Sequence, residues 1–375
     1  MKLESVSLPD SVSNLGGYLF QWCSALKSVK LPGVIVNIGD STFDGCSSLA
    51  KITLPATVKC IGNDAFKDCA ALAEITLPEE LESIGKNAFK YCASLKKIAI
   101  PSSVKAIESA TFEACASLRE VNLPEGLESI GYSAFLECSS LSSILLPESL
   151  KRIDINAFSS CKKLESITIG SNVSFLGGRI FFGCDALTSI TVREGNEYYH
   201  SADNCIIDKA TKTLIITCAG SKMPADGSFT VIGEEAFYGN KGITAIILPD
   251  SVKSIGKNAF SNCVNLTSVE FGNGIEAIGE RAFFGCESIE HIALPDSLKT
   301  LGNMAFAGCL KLESITIENG IESISSALTN CPTLENVTYK GTVAEWAQVQ
   351  KSLSYNFLSA FTVVHCSDGD IAVEE

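Results

Sequence analysis

An α/β solenoid of short parallel strands and tight outer turns is the fold class this sequence predicts. Three observations carry the prediction. Cysteine recurs every 23 residues, at Cys23, Cys46, Cys69, Cys92, Cys115, Cys138, Cys161 and Cys184. The beat returns at Cys263, Cys286, Cys309 and, one residue early, Cys331. Phenylalanine stands three places before most of these cysteines, as Phe43, Phe66, Phe89, Phe112, Phe135, Phe158, Phe181, Phe260, Phe283 and Phe306. Both runs sit in one template, L-x-x-I-x-L-P-x-x-L-x-x-I-G-x-x-A-F-x-x-C-x-x, seen for example over residues 95–117. Self-similarity with a period of about 20–29 residues is the mark of a leucine-rich-repeat solenoid, whose repeats bury their apolar faces only against their neighbours.

Each element of the template has a physical reading. L-x-x-I-x-L makes a short strand whose apolar residues, such as Leu72, Ile75 and Leu77, point inward. The proline that follows (Pro9, Pro32, Pro55, Pro78, Pro101, Pro124, Pro147) cannot donate to a ladder and so ends the strand. A second apolar pair, such as Leu81 and Ile84, then leads to a glycine. Glu108 and Asp154 replace that glycine, so positive φ is not required there. A-F-x-x-C is expected to form one turn of α- or 3₁₀-helix on the outer side, with the Phe filling the interior.

The rhythm divides the chain into four parts. Residues 1–184 are a first repeat block and 218–331 a second. Between them, 185–217 reads as a β-hairpin insertion, with Cys205-Ile206-Ile207 and Leu214-Ile215-Ile216 flanking the polar link 208–212. Residues 332–375 read as a helix–strand cap over the last apolar face. Thr342-Val343-Ala344-Glu345 is a capping box. It opens a helix expected from Ala344 to about Phe357, with Trp346, Val349 and Leu353 on one side. A strand over 361–366, a turn at 367–369 and an acidic tail follow.

Composition narrows the function classes. The 375 residues are 46% hydrophobic and 19% charged, as in a folded protein, and 43 acidic against 29 basic residues leave a net charge of −14. With no Lys/Arg stripe, a nucleic-acid partner is not expected. No apolar run approaches the ~18 residues of a membrane span. The chain opens inside a repeat, with Leu3, Val6, Leu8 and Pro9, and Met1 reads as the start of a trimmed or processed chain. An uncapped first repeat of this kind offers a strand edge for homo-association.

Sixteen cysteines raise the question of disulfides or metal. Twelve of them hold one repeat position, so parallel stacking gives the wrong torsion for a bridge, and buried free thiols are the expected state. C-x2-C or mixed Cys/His clusters for zinc are lacking. Asp203 and Asp208 do not have the spacing of a calcium loop and are expected to belong to a solvated turn. His200, His291 and His365 are the three histidines. His365 and Cys366 are consecutive on a strand and point to opposite faces, and His200 near Cys205 has no orienting carboxylate. No catalytic residue, metal site or cofactor is expected.

The template, the segment N-E-Y-Y-H-S-A-D-N-C-I-I-D-K-A-T-K-T-L-I (196–215), and Y-K-G-T-V-A-E-W (339–346) with T-V-V-H-C-S-D-G (362–369) resemble the BspA-like, or Treponema-type, leucine-rich repeat proteins. The resemblance covers roughly 300 residues. It implies a non-enzymatic bacterial protein, extracellular or on the cell surface, that adheres to host matrix proteins or cells. Two further roles stay open: a glycan-binding module for nutrient capture, and a structural spacer.

A curved stack displays its outward strand residues as a recognition surface. Alternation around the central Ile or Val places Lys30, Lys51, Glu74, Lys97 and Glu120 there, beside smaller polar residues. Tyr198 and Tyr199 are the candidate aromatic contacts, an inward-facing hairpin core accounting for them equally well, and the second Phe of Phe181-Phe182 and of Phe283-Phe284 is expected to be exposed.

Overall fold

The structure, a computed structural model, describes residues 3–350 and 363–372. Contacts divide the chain into two compact units, Met1–Tyr198 and Tyr199–Glu375.

In the first unit most turns contribute two strands. The first-strand series includes Ser28–Lys30, Lys51–Thr53, Glu74–Thr76, Lys97–Ala99 and Glu120–Asn122, each with its middle residue buried and the flanking two exposed. The second-strand series runs through Asn37–Ile38, Cys60–Ile61, Ser83–Ile84, Ala106–Ile107, Ser129–Ile130, Arg152–Ile153 and Phe175–Leu176. Pairing is parallel and in register by the repeat length, as in Lys51↔Glu74 and Ser129↔Arg152. Proline does more than stop the first strand. Its carbonyl accepts a bond from the residue three places on, as in Leu81 N to Pro78 O at 3.0 Å, which turns the chain into the second strand.

The outer segments differ from the expected single helical turn. They are successive hydrogen-bonded turns whose donors alternate in direction. Ala110, Phe112 and Ala114 donate to the next turn of the solenoid, at Tyr132, Ala134 and Leu136. Thr111, Glu113 and Cys115 donate three residues back, to Glu108, Ala110 and Phe112. A helix would send its N–H groups back along the segment and leave those of its first turn without a backbone partner; here every second N–H goes to the next turn, so the outer side is also a ladder. It requires left-handed residues two apart from the Phe on either side, and Ala110 and Ala114 adopt φ of 55° and 57°.

Inside, the template phenylalanines stack into a column. Neighbouring rings from Phe20 to Phe158 lie 5.3–5.5 Å apart and nearly parallel, within the range of offset aromatic stacking. The cysteine column lies beside it. Its thiols act as donors, not merely as small apolar groups: Cys92 Sγ reaches Phe66 O at 3.1 Å, and Cys115 Sγ reaches Phe89 O at 3.1 Å. The pattern repeats in the second unit, where Cys286 Sγ meets Phe260 O at 3.1 Å. Each thiol thus adds a second donor, from the next turn, to a buried carbonyl that already accepts within its own turn, as Phe66 O does from Cys69 N at 3.2 Å. Asn240 stands in this slot and uses Nδ2 in the same way, on Cys218 O at 2.8 Å.

All sixteen cysteines are free, and all but Cys60 and Cys366 are buried. Burial pushes the Cys46 and Cys263 thiols up to about 12, which removes the reactive thiolate at neutral pH. Alkylation of the native protein is therefore expected at Cys60 and Cys366 alone, with the column reacting only on unfolding. Peptide mapping after a timed maleimide pulse checks this, and early labelling of Cys115 would mean the turns open locally.

The second unit begins with an antiparallel meander that extends the expected hairpin. Tyr199–Ala202 pairs with Cys205–Asp208, which pairs in turn with Thr213–Ile216. Asp208 closes the polar link by accepting from Thr211 N at 2.8 Å and Thr211 Oγ1 at 3.0 Å. Thr213–Ile216 then pairs in parallel with Val231–Ile232, so the meander heads the second-strand ladder of this unit. Residues 185–192, assigned from sequence to the insertion, instead continue the first unit, because Ser189–Val192 pairs in parallel with Ser166–Ile169. Leu187 and Ile190 keep the inward template positions there and are buried.

At the C-terminal end the capping box is formed. Glu345 Oε2 accepts from Thr342 N at 2.7 Å, and Thr342 Oγ1 accepts from Glu345 N at 3.3 Å. The helix Val343–Gln350 buries Trp346 and Val349, with Trp346 5.1 Å from Tyr339. Leu353 and the rest of the expected helix lie outside the described residues. Val363–Cys366 adds to the first-strand ladder beside Asn336–Tyr339, and Gly369–Ala372 pairs back on it as a strand where an acidic tail was expected. Asp368 ties that turn to the helix by accepting from Val343 N at 2.7 Å.

Candidate binding surfaces

The first-strand ladder sets one surface of the first unit. Lys30, Lys51, Glu74, Lys97 and Glu120 all project from it and are exposed. Register places Lys51 beside Glu74 and Lys97 beside Glu120, so charges alternate along the stack. Between them stand Thr53, Thr76, Ala99 and Asn122, all small. Such a face carries both signs side by side. It can match a partner of complementary charge pattern, and it holds no aromatic anchor.

The two tyrosines part company. Tyr198 is 50% exposed, whereas Tyr199 is 7% exposed and packs inward from the start of the meander. Tyr199 is therefore removed as a contact residue: its strand alternates, and its position faces the core. Phe182 is 39% exposed as expected. Phe284 is only half-buried, with the Arg281 guanidinium 5.7 Å from its ring centre.

The three histidines lie apart in the sheets, His291 exposed with Nδ1 2.9 Å from Ser314 Oγ on the neighbouring strand. His365 Nδ1 lies 2.9 Å from Asp370 Oδ1 across the last antiparallel pair, and its neighbour Cys366 sits on the other face. His200 is half-buried in the meander; burial lowers its pKa, against the pull of Asp226. Among the described residues no three His, Cys, Asp or Glu side chains gather as a metal site, and no helix is long and apolar enough to cross a membrane.

A further feature was not singled out in the sequence. On the side of the second strands, the first unit carries a groove of about 720 Å³, walled by equivalent positions of successive turns and ending at Tyr198. A second groove of about 520 Å³ adjoins it, and Lys105 lines both. The periodic signal was present, since residues 59, 82, 105, 128 and 151 are spaced by 23 and read Lys, Glu, Lys, Glu, Lys.

Comparison with known proteins places the architecture. The family described as BspA type leucine rich repeat region matches residues 1–115, 82–205 and 230–351. The chain belongs to the BspA type leucine rich repeat family. A leucine rich cell surface protein from Faecalibacterium prausnitzii A2-165 is 29% identical to this BspA-type chain, over 93% of it and 91% of that protein, with a TM-score of 0.69. A leucine-rich repeat protein from Bacteroides ovatus ATCC 8483 is 28% identical, over 84% and 79% of the two chains, with a TM-score of 0.56. The pneumococcal vaccine antigen PcpA shares the fold at 20% identity, over 100% and 90% of the two chains, with a TM-score of 0.57. A search of the curated proteins finds no match.

Proposed function

We propose that this BspA-type protein is a non-enzymatic binding protein, extracellular or at the surface of a bacterial cell, and that it adheres to host extracellular or cell-surface protein through its first-strand face. The observation that carries the reading is the exposed row Lys51, Glu74, Lys97, Glu120, alternating in charge at one position of successive turns, with Lys51 paired to Glu74 and Lys97 to Glu120 in parallel register. Similarity to a bacterial cell-surface protein over nearly the whole chain supports the setting.

The test is retention of the purified chain on immobilised matrix proteins at low and high salt. Retention is expected on a matrix protein, weakening as the Debye length falls from about 10 Å at 0.1 M salt toward about 3 Å at 1 M. Reversing two rungs, Lys51→Glu with Lys97→Glu, should cut that retention several-fold with the fold retained and the melting temperature only slightly lowered, since the lysines are exposed but the new carboxylates face Glu74 and Glu120. Retention equal in the double variant would remove the first-strand face from the account. A second reading, glycan capture, is favoured by the groove that ends at Tyr198.

A further inference from the structure

The second-strand side of the first unit carries a charge ladder with one rung left over. Lys59 Nζ pairs with Glu82 Oε1 at 2.8 Å, and Lys151 Nζ pairs with Glu128 Oε2 at 2.9 Å. Lys105 stands between these pairs. Both neighbouring carboxylates are committed away from it, and among the described residues no carboxylate lies within ion-pair reach of its ammonium. Its side chain leans over Gly126, where an added Cβ would come within 2.9 Å of Nζ. In a chain of net charge −14, this is a cation without a counterion at the junction of two grooves.

The larger groove runs from that ammonium to Tyr198. Four inter-turn steps separate Lys105 from Glu197, about 19 Å at the ~4.8 Å spacing of neighbouring strands. Its volume of about 720 Å³ lies in the range of small-molecule sites. The walls hold Ser149, Ser171 and Asn172, which donate within the fold to Leu127 O, Glu148 Oε2 and Glu148 O and so face the groove chiefly as acceptors, with the Glu197 carboxylate and the half-exposed Tyr198 ring at the far end. Gly195, where an added Cβ would meet nothing within 4 Å, opens the floor to close approach at the far end.

The backbone there is already spent. Glu128 N donates to Lys105 O at 2.8 Å, Lys151 N to Glu128 O at 2.9 Å, and Ser174 N to Lys151 O at 2.9 Å. An extended peptide therefore cannot add as a strand, and a ligand must be read by side chains alone. Hydroxyls, an amide, a carboxylate acceptor and an aromatic face are the groups that read pyranose rings. One unpaired ammonium at one end, with a carboxylate at the other, asks for a single anionic group at the Lys105 end.

We infer that this groove binds a short oligosaccharide bearing one terminal acidic sugar, its carboxylate on Lys105 and its neutral end over Tyr198. The inference rests on the glycan reading above. It does not depend on the first-strand face, so loss of matrix retention by Lys51→Glu with Lys97→Glu leaves it standing.

The probes are sialyllactose, which carries one terminal carboxylate, and lactose, which carries none, titrated into the full chain by calorimetry. Wild type is expected to bind sialyllactose at least fivefold more tightly than lactose, with the margin shrinking as salt rises. Lys105→Gln should abolish the margin while leaving lactose affinity and melting temperature unchanged. Tyr198→Ala should weaken both sugars. Lys59→Gln, a paired cation of the same ladder, should weaken neither. Absence of binding by both sugars, equal affinity for the two, or a Lys105→Gln chain that binds like wild type would each overturn the assignment.

Discussion

Phe112→Ala is expected to lower the stability of the first unit by about 3–5 kcal/mol, the range for removing a large aromatic side chain from a core. Phe112 is fully buried, and its ring lies 5.5 Å from Phe89 and 5.4 Å from Phe135. Two stacking contacts are lost at once, and the cavity falls in the middle of the column, where neither neighbour can collapse without breaking its own outer turn. The position matters beyond its own repeat. Stability in a stack is a sum of intrinsic and nearest-neighbour terms, so a weak interface at this turn uncouples the repeats on either side of it. Denaturant unfolding followed by circular dichroism should show a lower midpoint and a broader transition. Phe182→Ala supplies the comparison, because Phe182 is 39% exposed and lies outside the column. It should cost less than about 1 kcal/mol, as surface changes usually do. Equal losses in the two variants would show that ring stacking does not hold the turns together.

Gly177→Ala and Gly178→Ala, substitutions at adjacent residues, are expected to have opposite signs. A Cβ on Gly177 would stand 2.3 Å from Ile155 N and 2.7 Å from Asp154 C, backbone atoms of the preceding turn that cannot step aside. Forcing it in should cost about 1–3 kcal/mol, as overpacking does. A Cβ on Gly178 meets nothing within 4 Å, and its φ is not in the left-handed region. Alanine there restricts the unfolded chain without straining the folded one, and should stabilise by about 0.4–1 kcal/mol. Thermal melts of the two variants check the signs directly. A neutral Gly177→Ala would mean that the turns separate more readily than the Ile130-to-Asp154 type of inter-turn bond, 2.9 Å long, indicates.

Much of this protein was legible in the sequence. The period of the cysteines and phenylalanines dictates a stack, since identical positions recurring every 23 residues superpose only if the chain closes one turn per repeat. Strand positions, the inward Leu and Ile set, the proline stops and the Thr342–Glu345 capping box followed from local chemistry. The glycine of I-G was also read correctly as free of positive φ at that position, although its reason, backbone approach between turns, is a fact of stacking.

Other features exist only between turns and were decided by the tertiary structure. The outer segments became a ladder instead of a helical turn because their N–H groups bond to the next repeat, which no single-repeat reading contains. The cysteines turned out to be donors because the carbonyl they serve belongs to a phenylalanine 26 residues earlier. Tyr199 went inward and Tyr198 outward through the register of the meander. The unpaired ammonium of Lys105 is the clearest case. Its sequence neighbours show an ordinary lysine, and only stacking brings Glu82 and Glu128 beside it, each already held by another cation. The sequence determined the repeat and its core; the charge left over in the groove came from how the repeats meet.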